Sequence, residues 1–522
     1  MPSQKEAFIS AINASYKTDL PHIFLGAAVL EGEIIQEAQV NLGLRMMNRH
    51  GLVAGATGSG KTRTLQLLAE QLSDAGVPVF MTDVKGDLSG LGNPGIADTR
   101  LQDRAKILGI DFEPNGFPVE FYSLSGKKGA QMRATVLEFG PVLLSKIFEL
   151  NDTQAGVLSI LFKYADDKKL PMVDLSDLKK VLNYLSEGEG AEEIKDAYGK
   201  ISSATSGTIL RKIVALEQQG VSNIFGETSF DIQDLMQKVD GKGLISLLNL
   251  SDMQSQPVVF STFLLSLLAE LYTKMPEAGD LDKPKLVFFL DEAHLLFNGA
   301  PKAFLEQIEQ IIRLIRSKGI GIFFCTQMPQ DIPSTVLSQL GNRVQHVLRA
   351  FTPQDAEGLK QTVKTYPRSD FYEIDRALTT MGIGQALITV LNEKGIPTEV
   401  AVTHLCPPRA VMGPMPEKQY NDLLGQSDVY KKYQESIDPQ SAYEILSSKL
   451  QQEELAKEQA EQAKAEEKAE SINQGGRREK STFEQVLASP VAKEVGKQLV
   501  RGLFGMMFGT PSRSSRSKKG MF

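Results

Sequence analysis

The 522-residue chain has no tryptophan, and aromatic residues make up only 7% of it. Apolar residues reach 42%, so the core must be mainly aliphatic, and the length suffices for two or three domains. There are two cysteines, Cys325 and Cys406, without C-x-x-C spacing. That excludes a disulfide framework and fits a reducing compartment. An excess of positive charge is missing too: 57 Lys and Arg stand against 64 Asp and Glu, a net charge of −7. A globally basic nucleic-acid binder is disfavoured, although a local basic pore or groove is compatible with this balance. The N-terminus lacks an uninterrupted apolar run, so no signal peptide is expected. The longest uncharged apolar stretch, Met253–Ala269, contains Pro257 and falls short of the ~20 residues a spanning helix needs. The expectation is a soluble, cytoplasmic protein. No internal repeat is visible.

What is present is punctuated α/β sequence. "HGLVAG" (50–55) reads as a buried strand, 62–75 as a helix stopped by Gly76, and "VPVFMTD" (77–83) as the next strand. Strand, loop, helix and strand at this spacing make a βαβ unit with a mainly parallel sheet. Residues 23–44 read as short strands broken by glycine. Helical periodicity dominates 133–149, 153–165, 175–186, 191–199 and 207–218. The sheet resumes at 243–250 and continues through strands at 285–294, 319–327 and 342–350. A hairpin of 384–391 with 397–405 closes it.

The expected organisation is an N-terminal helix and small β element (1–45) and an α/β core (46–96 and 241–410). A mostly helical insertion (97–240) interrupts that core. A helical extension (411–450), a charged helix or linker (451–480) and an amphipathic segment with a basic tail (481–522) follow. Residues 451–472 carry seven Glu and three Lys, the composition of a solvated helix. In 491–509, Val491, Val495, Leu499, Leu503 and Met506 fall largely on one face. A partner-binding or self-packing helix is the plainer reading, and contact with an anionic membrane the sharper one.

Chemistry enters at Gly55-Ala56-Thr57-Gly58-Ser59-Gly60-Lys61-Thr62, a full G-x-x-x-x-G-K-[ST] match with a strand before it and a helix after it. Glycines let backbone N–H groups close around phosphate oxygens, and the helix N-terminus adds a favourable dipole. Lys61 is expected to reach the β and γ phosphates and the Thr62 hydroxyl to ligate Mg²⁺. Such a loop needs a carboxylate on a neighbouring strand. "LVFFLDE" supplies Asp291 to hold Mg²⁺ through water and Glu292 to orient or deprotonate the attacking water. No N-K-x-D guanine signature and no L-S-G-G-Q segment occurs, which favours ATP over GTP and disfavours an ABC-type ATPase. "DEAH" (291–294) does not make a DEAH-box helicase, since the other motifs of that class are missing; His294 reads as a supporting or packing residue.

Gln327 ends the strand "GIGIFFCTQ", where a γ-phosphate sensor of an additional-strand ATPase would sit. Arg313, Arg316 and Arg343 follow the Asp-Glu strand. Arg316 and Arg343 are the candidates for an arginine finger delivered by a neighbouring subunit, with a salt-bridge role the competing reading for each. Asp83 and Asp87 of "DVKGD" lie at the edge where open α/β sheets bind ligands, to order water or Mg²⁺ or to stabilise a turn.

Together "NRHGLVAGATGSGKT", "VPVFMTDVKGDLSGL", "FFLDEAHLLF", "IRSKGIGIFFCTQMPQDIP" and "LGNRVQHVLRAFTPQD" resemble, in order, the motifs of the HerA/FtsK branch of P-loop ATPases. They are most similar to the bacterial YjgR-like group, described as having a helicase HerA-like C-terminal domain. The resemblance spans roughly residues 20–405 and includes the tail. It implies a RecA-like core, Mg²⁺-ATP hydrolysis and a homo-oligomer, often a hexameric ring with ATP between subunits. It also implies action on nucleic acid as a helicase or translocase. This chain departs from that pattern in its short N-terminal β element, its helical insertion and its acidity. The competing class is a nucleotide-switched scaffold that acts on a protein partner or, through its C-terminal segment, at a membrane, without DNA translocation.

Overall fold

The computed structural model describes residues 3–220, 222–279, 281–297 and 302–474. The chain divides into two units, 1–446 and 447–522. The amphipathic stretch at 491–509 and the basic tail lie outside the described residues.

The first unit is built on one twelve-stranded sheet. Its strands are β1 (His22–Leu30), β2 (Glu33–Gly43), β3 (Gly51–Ala54), β4 (Val79–Asp83), β5 (Val119–Ser123) and β6 (Ala130–Gln131). A separate two-stranded ribbon, β7 (Lys238–Val239) and β8 (Lys242–Gly243), comes next in the chain. The sheet continues with β9 (Ile245–Asn249), β10 (Leu286–Leu290), β11 (Ile320–Thr326), β12 (Asn342–Gln345), β13 (Gln385–Thr389) and β14 (Ala401–Leu405). The spatial order is β2-β1-β14-β13-β12-β3-β11-β10-β4-β9-β5-β6. From β12 to β6 all pairings are parallel; from β12 to β2 they are antiparallel. β11 lies between β3 and β10, so an additional strand separates the loop-bearing strand from the Asp-Glu strand. The strands β3, β4, β9, β10 and β11 are buried along their whole length. Parallel strands covered on both faces need such continuous apolar runs, which is why "LVFFL" and "IGIFFCT" show no polar alternation.

Helices cover the faces. α1 (Gln4–Tyr16) buries Phe8, Ile12 and Tyr16, and α2 (Lys61–Asp74) and α3 (Thr99–Ile107) follow. Residues 136–218 hold α4 (Val136–Ile147), α5 (Asp152–Asp167), α6 (Leu175–Ser186), α7 (Gly190–Lys195) and α8 (Ser203–Gln218). Capping boxes at Thr135/Glu138, Asn151/Gln154 and Asp174/Asp177 start α4, α5 and α6 by satisfying their first backbone N–H groups. Then come α9 (Pro257–Lys274), α10 (His294–Phe297), α11 (Lys302–Ile315), α12 (Ser334–Leu337), α13 (Pro353–Val363) and α14 (Ile374–Thr380). α15 (Glu417–Gln426) and α16 (Asp428–Gln434) bury Leu424 and Tyr433. α17 (Ala442–Gln474) starts with Ala442 and Leu446 buried; from residue 447 it belongs to the second unit and is mostly exposed. Among the described residues no helix is long and apolar enough to cross a membrane.

Three elements differ from the sequence expectation. Residues 23–44 are two long paired strands, not short broken ones. Gly26 does not break β1 but makes a bulge in it, with φ +154°, and a Cβ there would lie 2.0 Å from the His404 carbonyl oxygen of β14. The glycine is what lets the hairpin join the main sheet. Within 97–240, β5 and β6 extend that sheet beside β9; polar Glu120 disguises β5, its carboxylate accepting from the Ser427 hydroxyl at 2.8 Å. β12 stops at Gln345 rather than running to 350, because His346 and Val347 turn to hold the loop after β3.

Candidate active site at the carboxyl edge of the sheet

The loop 55–60 leaves β3 and enters α2. Its ends are pinned by backbone bonds: Gly55 N–H donates to the Thr326 carbonyl at 3.2 Å, and Ala56 N–H to that of Val347 at 2.9 Å. Gly55, Gly58 and Gly60 take φ of +153°, +76° and +111°, values that favour glycine. A Cβ on Gly55 would also lie 2.5 Å from the His346 Cβ. Gly60 caps α2 without a side-chain bond, so the first-turn N–H groups face the loop with no capping oxygen. The Ser59 hydroxyl is buried and has no protein partner. The Lys61 ammonium is drawn back onto the loop, donating to the carbonyls of Gly55 at 2.6 Å and Ala56 at 3.2 Å. These features suit a phosphate chain: unclaimed donors, a cation within the loop, and backbone that a side chain would obstruct.

His346, missed in the sequence, supports this loop. Its Nε2 lies 2.9 Å from the Thr64 hydroxyl on α2. Burial, with Lys61 nearby, pushes its pKa down to about 4, so the ring is neutral at physiological pH. A charged ring beneath Lys61 would repel it. The available signal was a histidine directly after the strand that pairs in parallel with β3.

Two strands away, β10 ends in Asp291 and Glu292. The Asp291 N–H donates to the Thr82 hydroxyl of β4 at 2.8 Å, and Ala293 N–H donates to the Cys325 carbonyl of β11 at 2.8 Å. Burial pushes the Asp291 carboxyl above its usual range, with the adjacent Glu292 adding to the shift. Glu292 is held at φ +49°, a left-handed conformation that costs free energy for a side-chain-bearing residue. Its Oε1 lies 3.3 Å from Lys85 Nζ, and its Oε2 lies 3.5 Å from His294 Nδ1 yet has no hydrogen bond. Lys85 is the second residue that sequence reasoning passed over, although it stands inside "DVKGD". Gln327 sits exposed just beyond β11, the strand between loop and carboxylates.

The other candidates fall elsewhere. Asp83 accepts the N–H groups of Gly86, Asp87 and Leu88 at 2.7–3.1 Å, and burial raises its pKa to about 6. Its oxygens are spent on a turn that presents Lys85, while Asp87 adds to the field on Arg63. Arg316 follows α11 ahead of β11 and acts electrostatically on buried His50, ahead of β3. Arg343, early in β12, donates to the carbonyls of Leu340 at 3.4 Å and Thr365 at 3.3 Å and lies 6.0 Å from the Tyr366 ring. Both arginines are at the amino ends of their strands, not at the loop of their own chain; Arg313 is exposed on α11.

Among the described residues no group of three or more His, Cys, Asp or Glu could hold a metal ion by itself. The Thr62 hydroxyl and the partly buried Asp291 carboxylate are hard oxygen donors. They fit Mg²⁺ that takes its remaining ligands from phosphates and water. Beside Gly60 opens a cleft of about 720 Å³, lined by Arg63, Thr64, Arg104, Ile383 and Pro407 among others. Arg104 Nε is tied to the Leu405 carbonyl at 2.7 Å.

The model of the family described as "Helicase HerA-like C-terminal" matches residues 29–513. The chain belongs to this family. It is 22% identical over 389 residues to the "DNA double-strand break repair helicase HerA" of Sulfurisphaera tokodaii, covering 71% of this chain and 68% of that protein. It is 24% identical over 410 residues to a "probable helicase" of Methanocaldococcus jannaschii, covering 74% and 69%. Among solved structures it is similar to the plasmid coupling protein TrwB in complex with ADP and Mg²⁺, with a TM-score of 0.47 and 12% identity, covering 76% of this chain and 100% of that one. The HerA-like member described here is a P-loop ATP-hydrolysing enzyme of the HerA/FtsK type.

Proposed function

We propose that this ATPase is a Mg²⁺-ATP-driven oligomeric ring motor acting on nucleic acid. The observation that carries the reading is the placement of Glu292: a carboxylate at the end of β10, in a strained left-handed backbone, two strands from the one that bears the phosphate-binding loop. Ser59, Lys61 and the first N–H groups of α2 bind the phosphates. Thr62 and Asp291 hold Mg²⁺, which neutralises charge on the transferring phosphate. Glu292 orients a water and accepts its proton, and Gln327 contacts the γ-phosphate from the intervening strand. The cleft beside Gly60 receives the base and ribose.

The ring is inferred from where the candidate fingers stand among the described residues. Arg316 and Arg343 lie at the amino ends of β11 and β12, whereas the loop 55–60 lies at the carboxyl end of β3. As fingers they act on the nucleotide of a neighbouring copy, which makes hydrolysis depend on assembly. Nucleic acid as the track rests on the helicases to which the chain is similar. Measuring ATP turnover with and without single- and double-stranded DNA, alongside mass by light scattering, tests both parts. DNA-stimulated turnover by an oligomer is expected. A rate indifferent to saturating DNA at low salt removes the nucleic-acid part and leaves the scaffold reading.

A further inference from the structure

Lys85 and Glu292 form a contact that the hydrolytic reading does not use. The turn after β4 is fixed by Asp83, whose carboxylate takes three consecutive N–H groups and so sets where Lys85 stands. Lys85 reaches Glu292 Oε1 at 3.3 Å; Asp291 and Asp87 also act on it electrostatically. The two partners differ sharply in exposure. The Glu292 side chain is 13% exposed and the Lys85 side chain 49%. Glu292 is therefore fixed, by burial and by its left-handed backbone, while Lys85 is free to swing into solvent. A carboxylate oxygen engaged by an ammonium group is not available to order a water.

We propose that Lys85 is a removable counter-ion that holds Glu292 in a resting state until an incoming phosphate group takes the lysine over. The inference rests on Glu292 being the residue that activates water. The phosphate could come from two sources with the same chemistry, the γ-phosphate of the nucleotide or the backbone of nucleic acid. If the backbone is the source, the exchange couples track binding to hydrolysis without any change in the loop 55–62. Lys85 acts through Glu292 and is a positioning residue, not a catalytic one.

The test has a chemical arm and a kinetic arm, both on the full chain. Labelling of Lys85 by an amine-reactive reagent, read by mass spectrometry, reports the pair directly. Glu292→Gln should label Lys85 about threefold faster than the wild-type chain, the size expected for losing a half-exposed ion pair. In Glu292→Gln, a non-hydrolysable ATP analogue or a short duplex DNA, added separately, should restore protection, and the one that does so is the source. Equal labelling in both chains, or protection by neither addition, overturns the proposal whatever the rate of ATP turnover. In the kinetic arm, run without DNA, Lys85→Ala should raise kcat about threefold if the nucleic-acid backbone is the source, and should instead weaken fluorescent-nucleotide affinity about threefold if the γ-phosphate is. Lys85→Arg should return the wild-type values. No change in either quantity overturns the restraint. Failure of the wild-type chain to hydrolyse ATP strikes the hydrolytic reading instead and leaves the labelling result to decide the pair.

Discussion

The Thr82 hydroxyl of β4 accepts the backbone N–H of Asp291 at 2.8 Å. The bond ties the end of the Asp-Glu strand to its neighbour at the point where β10 ceases to pair. Thr82 is buried and the bond is partly shielded from water. Thr82→Val keeps the shape and removes the acceptor. It should cost about 1 kcal/mol for the partly buried N–H left unpaired and loosen the position of both carboxylates. Thermal unfolding and kcat should fall together. A melting temperature unchanged from wild type refutes the role.

Glu292→Gln preserves volume and removes the proton acceptor. Turnover should fall by about 10²–10⁴-fold while fluorescent-nucleotide binding persists. Turnover within a factor of two of wild type shows that another group activates water.

The same strand end shows what a single sequence can and cannot disclose. The loop 55–62 and the pair Asp291-Glu292 were legible because each is a contiguous string whose chemistry depends on local backbone. β10 and β11 were legible because two-sided burial forces unbroken apolar runs. Lys85 and His346 were not, because each acts across strands far apart in the chain, and strand order is not written in spacing. Gly26 was misread for a related reason. Its conformation answers to the His404 carbonyl some 380 residues away, not to a break in its own strand.

Arg343 offers a test of where finger chemistry resides. Because it donates to two carbonyls of its own chain and faces the Tyr366 ring, Arg343→Ala should destabilise the fold by about 1 kcal/mol. A fall in kcat of about 10³-fold or more at unchanged melting temperature would instead make it the finger. The same pair of measurements on Arg316→Ala separates the two candidates.

His346 makes stability depend on pH in a defined window. Its folded pKa is about 4, against an ordinary value of 6.5, because burial and Lys61 oppose its protonation. Between those values the unfolded chain binds the extra proton. The neutral ring's contribution is therefore fully present above pH 6.5 and is lost as pH falls toward 4. From pH 7.5 to 5 the loss from this one ring is about 2 kcal/mol. His50 and His404, also pushed down to about 4, act in the same direction. Glu70, raised to about 7, and Asp83, raised to about 6, act in the opposite one, since their protonated forms favour the folded state. The whole-protein slope is thus a partial cancellation, and the informative quantity is a difference between chains. His346→Asn keeps a polar group near Thr64 but cannot titrate. Its stability loss between pH 7.5 and 5, measured by denaturant unfolding, should be smaller than wild type by about 2 kcal/mol. Parallel pH profiles for the two chains would show that the ring beneath the phosphate-binding loop is not held neutral.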